Sequence, residues 1–163
     1  MLSRYSIQST SDQENYLDYA TIAANSPSGL TPEQSAVWTY PMNHEEQVPE
    51  DALKEEVVFN MVNAMLLRVH QSGHLAKLDD ARKELVKEGL DLYKKIRSDI
   101  KDFYPFWPLG LSSYADEWVS LGMRGEKKCY LAVWRREGTQ ESRVLPVAGL
   151  AGKALPAGYV GRL

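Results

Sequence analysis

The sequence predicts an α/β unit followed by an antiparallel β unit, each of them incomplete. Two runs near the middle of the chain carry apolar residues at the helical period, and an aromatic, β-branched run ahead of them reads as a buried strand. The last third holds three short runs of alternating character, the pattern of a β-meander. Between the two textures lies "FYPFWPLGLSSYADEW", whose prolines, glycine and aromatic residues mark a packed connection. The boundary is accordingly set between residues 1–102 and residues 103–163.

In the stretch "IQSTSDQENY", Ser11 and Glu14 stand at capping-box spacing. Tyr16, Tyr19, Ala20 and Ala23 then recur at helical spacing and predict a helix over residues 13–24. Asp12 has two readings at this point: a charge suited to the first turn of that helix, or a working carboxylate. Thr31 and Pro32 can start a brief helical turn, and residues 36–40 form the strand that Pro41 stops. Val57, Val58, Met61, Val62, Met65, Leu66 and Val69 predict a helix over residues 53–70, ended near Gly73. A second long helix is expected over residues 79–102, with Leu85, Val86, Tyr93, Ile96 and Ile100 inward and Asp79 and Asp80 at its start.

The three strand-like runs are "EWVSLGMR", "KCYLAVWRRE" and "SRVLPV". The middle one places Cys129, Leu131 and Val133 on one face and Tyr130, Ala132 and Trp134 on the other. Three strands leave an exposed edge, a liability unless further strands or another domain cover it, and the chain is a candidate homo-oligomer. The front half, ordered strand, helix, strand, helix, helix, has too few strands for a parallel sheet covered on both faces. Both halves read as parts of something larger.

The 163 residues are 44% hydrophobic and 25% charged, with a formal net charge of −3, the composition of a soluble globular chain. Mixed charges give no electrostatic footprint for nucleic acid, and Lys94, Lys95, Arg97 and Lys101 are spread around one predicted helix. No window approaches the roughly 18 apolar residues of a membrane span, and the first residues lack the apolar core of a secretory signal. With one cysteine, Cys129, no internal disulfide framework exists, so a cytoplasmic location is expected.

Candidate chemistry is sparse. His70 and His74 have the spacing of two metal ligands on a helix face, but Gly73 intervenes and no third ligand is evident. "NHEE" at Asn43 to Glu46 sets a histidine and two carboxylates in the loop after the 36–40 strand. Cys129 sits mid-strand without a placed histidine partner and reads as a structural thiol. Phosphate-binding glycine loops, nucleophile elbows and Cys-x-x-Cys pairs do not occur in the sequence. Carboxylates remain as the plausible chemistry.

The segments "RYSIQSTSDQENYLDYATIAANSPSGLTPEQSAVWTYP", "MVNAMLLRVHQSGHL", "EGLDLYKKIRSDI" and "FYPFWPLGL", followed by "DEWVSLGMR" and "CYLAVWRR", come in the order in which α-galactosidase-like proteins of glycoside hydrolase family 36 carry their counterparts. The chain resembles the C-terminal part of that family. The resemblance implies that residues 1–102 are the last strands and helices of a (β/α)8 TIM-type barrel, and that residues 103–163 begin a C-terminal antiparallel β-sandwich. It also matches Thr10, Ser11 and Asp12 to the family's acid/base motif, so Asp12 inherits the proton-donor role. Ser9, Gln13 and Asn15 depart from that motif, which bears on sugar preference. The implied reaction is retaining hydrolysis of an α-galactoside or related sugar, with two carboxyl groups about 5 to 5.5 Å apart and no cofactor. The family's nucleophile lies in a Lys-Trp/Tyr-Asp motif that these residues do not contain, so the chain is expected to be inactive alone. The competing expectation is a non-catalytic remnant, an interaction or carbohydrate-binding module using the aromatic residues from Tyr104 to Trp118.

Overall fold

The computed structural model describes residues 5–41 and 50–147. Three strand–helix units follow one another: β1 (Gln8–Ser9) and α1 (Tyr16–Asn25), β2 (Ser35–Thr39) and α2 (Glu50–Met65), then β3 (Arg68–Gln71) and α3 (Asp80–Ile100). The strands are parallel in the order β1-β2-β3, with Ser9 beside Ala36 and Trp38 beside His70. Strands laid down in sequence order through right-handed crossovers carry their helices on one face. Val37 and Val69 project to that face and join the core there. Ser9, Trp38 and His70 alternate to the opposite face.

The helix expected over residues 53–70 ends at Met65, and Arg68–Gln71 pair with β2 instead. The helical period does continue through Val69. It loses to a β-branched, alternating run that can satisfy its backbone against Ala36–Thr39 while Val69 still reaches the core. The first helix also starts later than its capping box suggests. Asn15 caps it, its Oδ1 accepting from Leu17 N (2.9 Å) and Asp18 N (3.1 Å). Ser11 Oγ accepts from Gln13 N (3.0 Å), so Ser11 shapes the turn that leads into the helix rather than its end. α3 begins as expected, with Asp79 accepting from Arg82 N at 2.8 Å. Gly89 lets α3 approach α2: a Cβ there would lie 2.9 Å from the Met61 methyl.

The second sheet is antiparallel in the order β4 (Tyr104–Phe106), β5 (Trp118–Arg124), β6 (Cys129–Arg135). Its third strand is therefore Tyr104–Phe106 from the junction and not the expected residues 142–147, which form no strand. Pro105 is tolerated because β4 is an edge strand among the described residues. Gly122 on β5 makes room for the Phe106 ring, which a Cβ would meet at 2.2 Å. Beyond β6 the chain bends towards Glu117, whose carboxylate accepts from Thr139 N (3.3 Å) and Gln140 N (3.2 Å). The alternation read from β6 holds: Ala132 and Trp134 are buried, and Leu131 is 39% exposed on the other face.

One core cluster spans both sheets, joining Tyr19, Ala23, Ile96 and Ile100 to Val119, Leu121, Met123 and Trp134. Trp107 Nε1 donates to Ala24 O at 2.6 Å, and Asn25 exchanges hydrogen bonds with Ser112 at 2.7 and 3.0 Å. Three parallel strands do not close into a barrel. Among the described residues, no helix is long and apolar enough to cross a membrane.

Candidate active site

Asp12 lies in the connection from β1 to α1, at the carboxyl end of the parallel strands, and is exposed to solvent. The connection is held from below by Tyr19, a fully buried side chain of α1. Its hydroxyl accepts from Trp38 N at 3.0 Å and lies 3.0 Å from Thr10 Oγ1 and 3.1 Å from Ser11 O. The Thr10 hydroxyl spends its hydrogen on Ala36 O (2.9 Å), so the tyrosine hydrogen serves Ser11 O and Thr10 Oγ1. One phenol thus ties the end of β1 to β2, next to Asp12.

Burial pushes the Tyr19 hydroxyl above its ordinary value; the Thr10 and Trp38 contacts oppose this, and the Asp12 charge adds to it. Tyr40, just past β2, is raised by burial first, then by Tyr19, Asp12 and Glu14. Both phenols stay protonated and can donate hydrogen bonds at this end of the sheet. On the strand face away from the helices, Trp38 Nε1 donates to Ser9 Oγ at 2.9 Å, and the indole meets the His70 ring edge-on at 4.9 Å. Burial, with Arg68 second, lowers the His70 pKa and favours a neutral imidazole. Beside the end of β1, a groove of about 570 Å³ is lined by Ser9, Thr10, Thr21, Asn25, Ser112 and Tyr114.

His70 and His74 do not share a helix face, since His70 is on β3 and His74 precedes a short 3-10 turn beyond Gly73, whose φ is 83°. Among the described residues, no group of three His, Cys, Asp or Glu side chains could hold a metal ion. "NHEE" falls outside the described residues. Cys129 is half-buried on β6, its thiol pushed up mainly by burial and only partly offset by Arg124. The unreactive direction suits the structural reading. Tyr19 and Trp38 entered the sequence reading only as apolar positions. A tyrosine at a fully buried helical position was the available signal, because its hydroxyl must find partners.

No sequence-family model matches the chain, and no curated protein does. Solved structures do. The galactosidase domain of the α-galactosidase–sucrose kinase AgaSK matches with a TM-score of 0.64 and 18% identity. The GH36 α-galactosidase AgaA of Geobacillus stearothermophilus, solved with raffinose, matches with a TM-score of 0.65 and 15% identity. Each match covers 85% of this chain and 19% of the other, so the chain spans about a fifth of the length of the structures it resembles. At these identities the likeness is one of fold: a parallel βα segment and an antiparallel three-stranded sheet, arranged as in part of a GH36 α-galactosidase.

Proposed function

We propose that the chain is a C-terminal part of a retaining α-glycosidase-like protein whose substrate is an α-galactoside or a related sugar. Residues 1–102 would then be the last units of a (β/α)8 barrel, and residues 103–163 the start of its β-sandwich. The observation that carries the proposal is the position of Asp12. It stands exposed at the carboxyl end of a parallel strand, where barrel enzymes keep their catalytic groups. The fold likeness to GH36 α-galactosidases supports it. Asp12 would protonate the leaving oxygen and then deprotonate the water that releases the sugar, opposite a nucleophile from outside these residues. Its loop is anchored to β2 by Tyr19, which suits a group that must keep its place through both steps.

The rival assignment, a non-catalytic carbohydrate-binding or interaction module, draws less support. Phe103 and Trp107 pack on the core and Phe106 sits over Gly122, leaving Tyr104 (78% exposed) and Tyr114 (61%) as its exposed aromatic residues. The single Cys129 is in keeping with a reducing compartment.

A polypeptide of these residues alone should not hydrolyse an aryl α-galactoside. Fused to a barrel segment carrying the Lys-Trp/Tyr-Asp motif, it should turn over, and Asp12→Asn should lower that rate by about 10²- to 10⁴-fold. Turnover by the isolated chain that vanished in Asp12→Asn, or full activity of the Asp12→Asn fusion, would overturn the assignment.

A further inference from the structure

Trp38 reaches across the whole parallel sheet on the face that the helices leave free. Its Nε1 donates to Ser9 Oγ on β1 at 2.9 Å, and its ring meets His70 on β3 edge-on, with centroids 4.9 Å apart. The three residues lie at the carboxyl ends of their strands. Ser9 is the last residue of β1, and Trp38 and His70 are the last but one of β2 and β3. Ser9 is exposed, and Trp38 and His70 are half-buried. Asp12 follows three residues after Ser9. The Tyr19 hydroxyl that bonds Ser11 O, next to Asp12, also accepts from Trp38 N, so one anchor holds both the strand that carries the indole and the loop that carries the carboxylate.

These side chains are not a dry core layer. Ser9 Oγ accepts from the indole, so its own hydrogen is left without an acceptor among the described residues. The His70 ring nitrogens likewise have no hydrogen-bond partner there. Apolar packing would make such groups costly, whereas a polar ligand would satisfy them. Burial first, and Arg68 second, favour the neutral imidazole, which offers one donor and one acceptor. Arg68 shares this face one layer below, at the amino end of β3.

We infer that Ser9, Trp38 and His70 form the wall on which an uncharged pyranose lies, with the indole against the apolar face of the ring and the serine hydroxyl and imidazole bonded to its hydroxyl groups. This deepens, and rests on, the reading of the chain as part of an α-glycosidase. An aromatic side chain flanked by a few unspent polar groups is the lining that an uncharged, hydroxylated ligand calls for. Size agrees, since two strand spacings set β1 and β3 roughly 10 Å apart, wide enough for one pyranose with hydrogen bonds on both sides. Asp12 then stands at the rim of the same wall, on the β1 side, where the leaving oxygen of the sugar would be protonated.

Titration of the ¹⁵N-labelled 163-residue chain with methyl α-galactopyranoside tests this by nuclear magnetic resonance. The Trp38 indole N–H, identified by its loss in Trp38→Phe, should shift saturably, while those of Trp107, Trp118 and Trp134 stay in place. His70→Phe keeps a ring against the indole and removes the ring nitrogens. It should weaken binding by about five- to tenfold, read from the same resonance. No saturable shift at Trp38, equal shifts at all four indoles, or undiminished binding by His70→Phe would overturn the assignment. The readout is binding by a chain that is not expected to turn over, so its failure is distinct from failure of the Asp12 role, which the hydrolysis assay decides.

Discussion

The Tyr19 hydroxyl has one hydrogen and three neighbours, and they belong to different pieces of chain: Thr10 and Ser11 at the end of β1, and Trp38 on β2. Removing it leaves the Trp38 N–H and the Ser11 carbonyl without this partner beneath a fully buried ring. Tyr19→Phe should therefore lower the unfolding free energy by about 1–3 kcal/mol, read from urea titrations. A loss within experimental error would show that water or a neighbour replaces the phenol. Of the residues around the candidate site, Thr10, Ser11 and Asp12 were singled out by resemblance alone. Tyr19 was not, because helical periodicity treats Tyr and Phe as the same apolar side chain and takes no account of a hydroxyl.

At the scale of elements, the start of α1 separates a pattern from the bonds that form. Ser11 and Glu14 have capping-box spacing, but the backbone reaches helical geometry only after Asn15, whose side chain takes two of the free N–H groups. Asn15→Ala should cost about 1 kcal/mol and Glu14→Ala much less, measured by urea unfolding followed by far-ultraviolet circular dichroism. Equal losses would restore the capping box. The junction of α2 and β3 has the same origin. "LLRVHQ" fits the helical and the strand period alike, and pairing with Ala36–Thr39 decides for the strand from Arg68 onward. α3 was legible from end to end because its cap, period and basic last turn agree and nothing competes for its backbone.

The whole molecule is joined where α3 meets the β5–β6 turn. Tyr130 Oη donates to Asp99 Oδ2 at 2.5 Å, Lys128 Nζ reaches the same oxygen at 3.0 Å, and Phe103 stacks on the Tyr130 ring with centroids 5.5 Å apart. Burial, then the hydrogen bond and charge of Asp99, push the Tyr130 hydroxyl up from 10.0 to about 12. A folded value above the unfolded one means the stabilisation is complete below pH 10.0 and is lost as pH rises to about 12. The urea midpoint should fall across that window, and Tyr130→Phe should flatten the fall while lowering the midpoint at neutral pH. An unchanged slope in the variant would mean that the contact with Asp99 does not form in solution. Because the core cluster runs from α1 through α3 to β5 and β6, secondary-structure and tryptophan signals should report the same transition.

Periodicity and turn chemistry within the sequence determined α3, the strand character of β2, β5 and β6, the alternation along β6 and the change of texture near residue 102. These are short-range properties, set by side-chain spacing and backbone preference a few residues apart. Only the tertiary structure decided that Arg68–Gln71 is a strand, that Tyr104–Phe106 and not residues 142–147 lies beside β5, and that Tyr19 holds the loop of Asp12. Each of those outcomes depends on a partner far along the chain: Trp38 for His70, Gly122 for Phe106, Glu117 for the turn after β6. A backbone hydrogen bond or a close-packed ring is satisfied by whatever the fold brings to it, and local pattern carries no record of that neighbour.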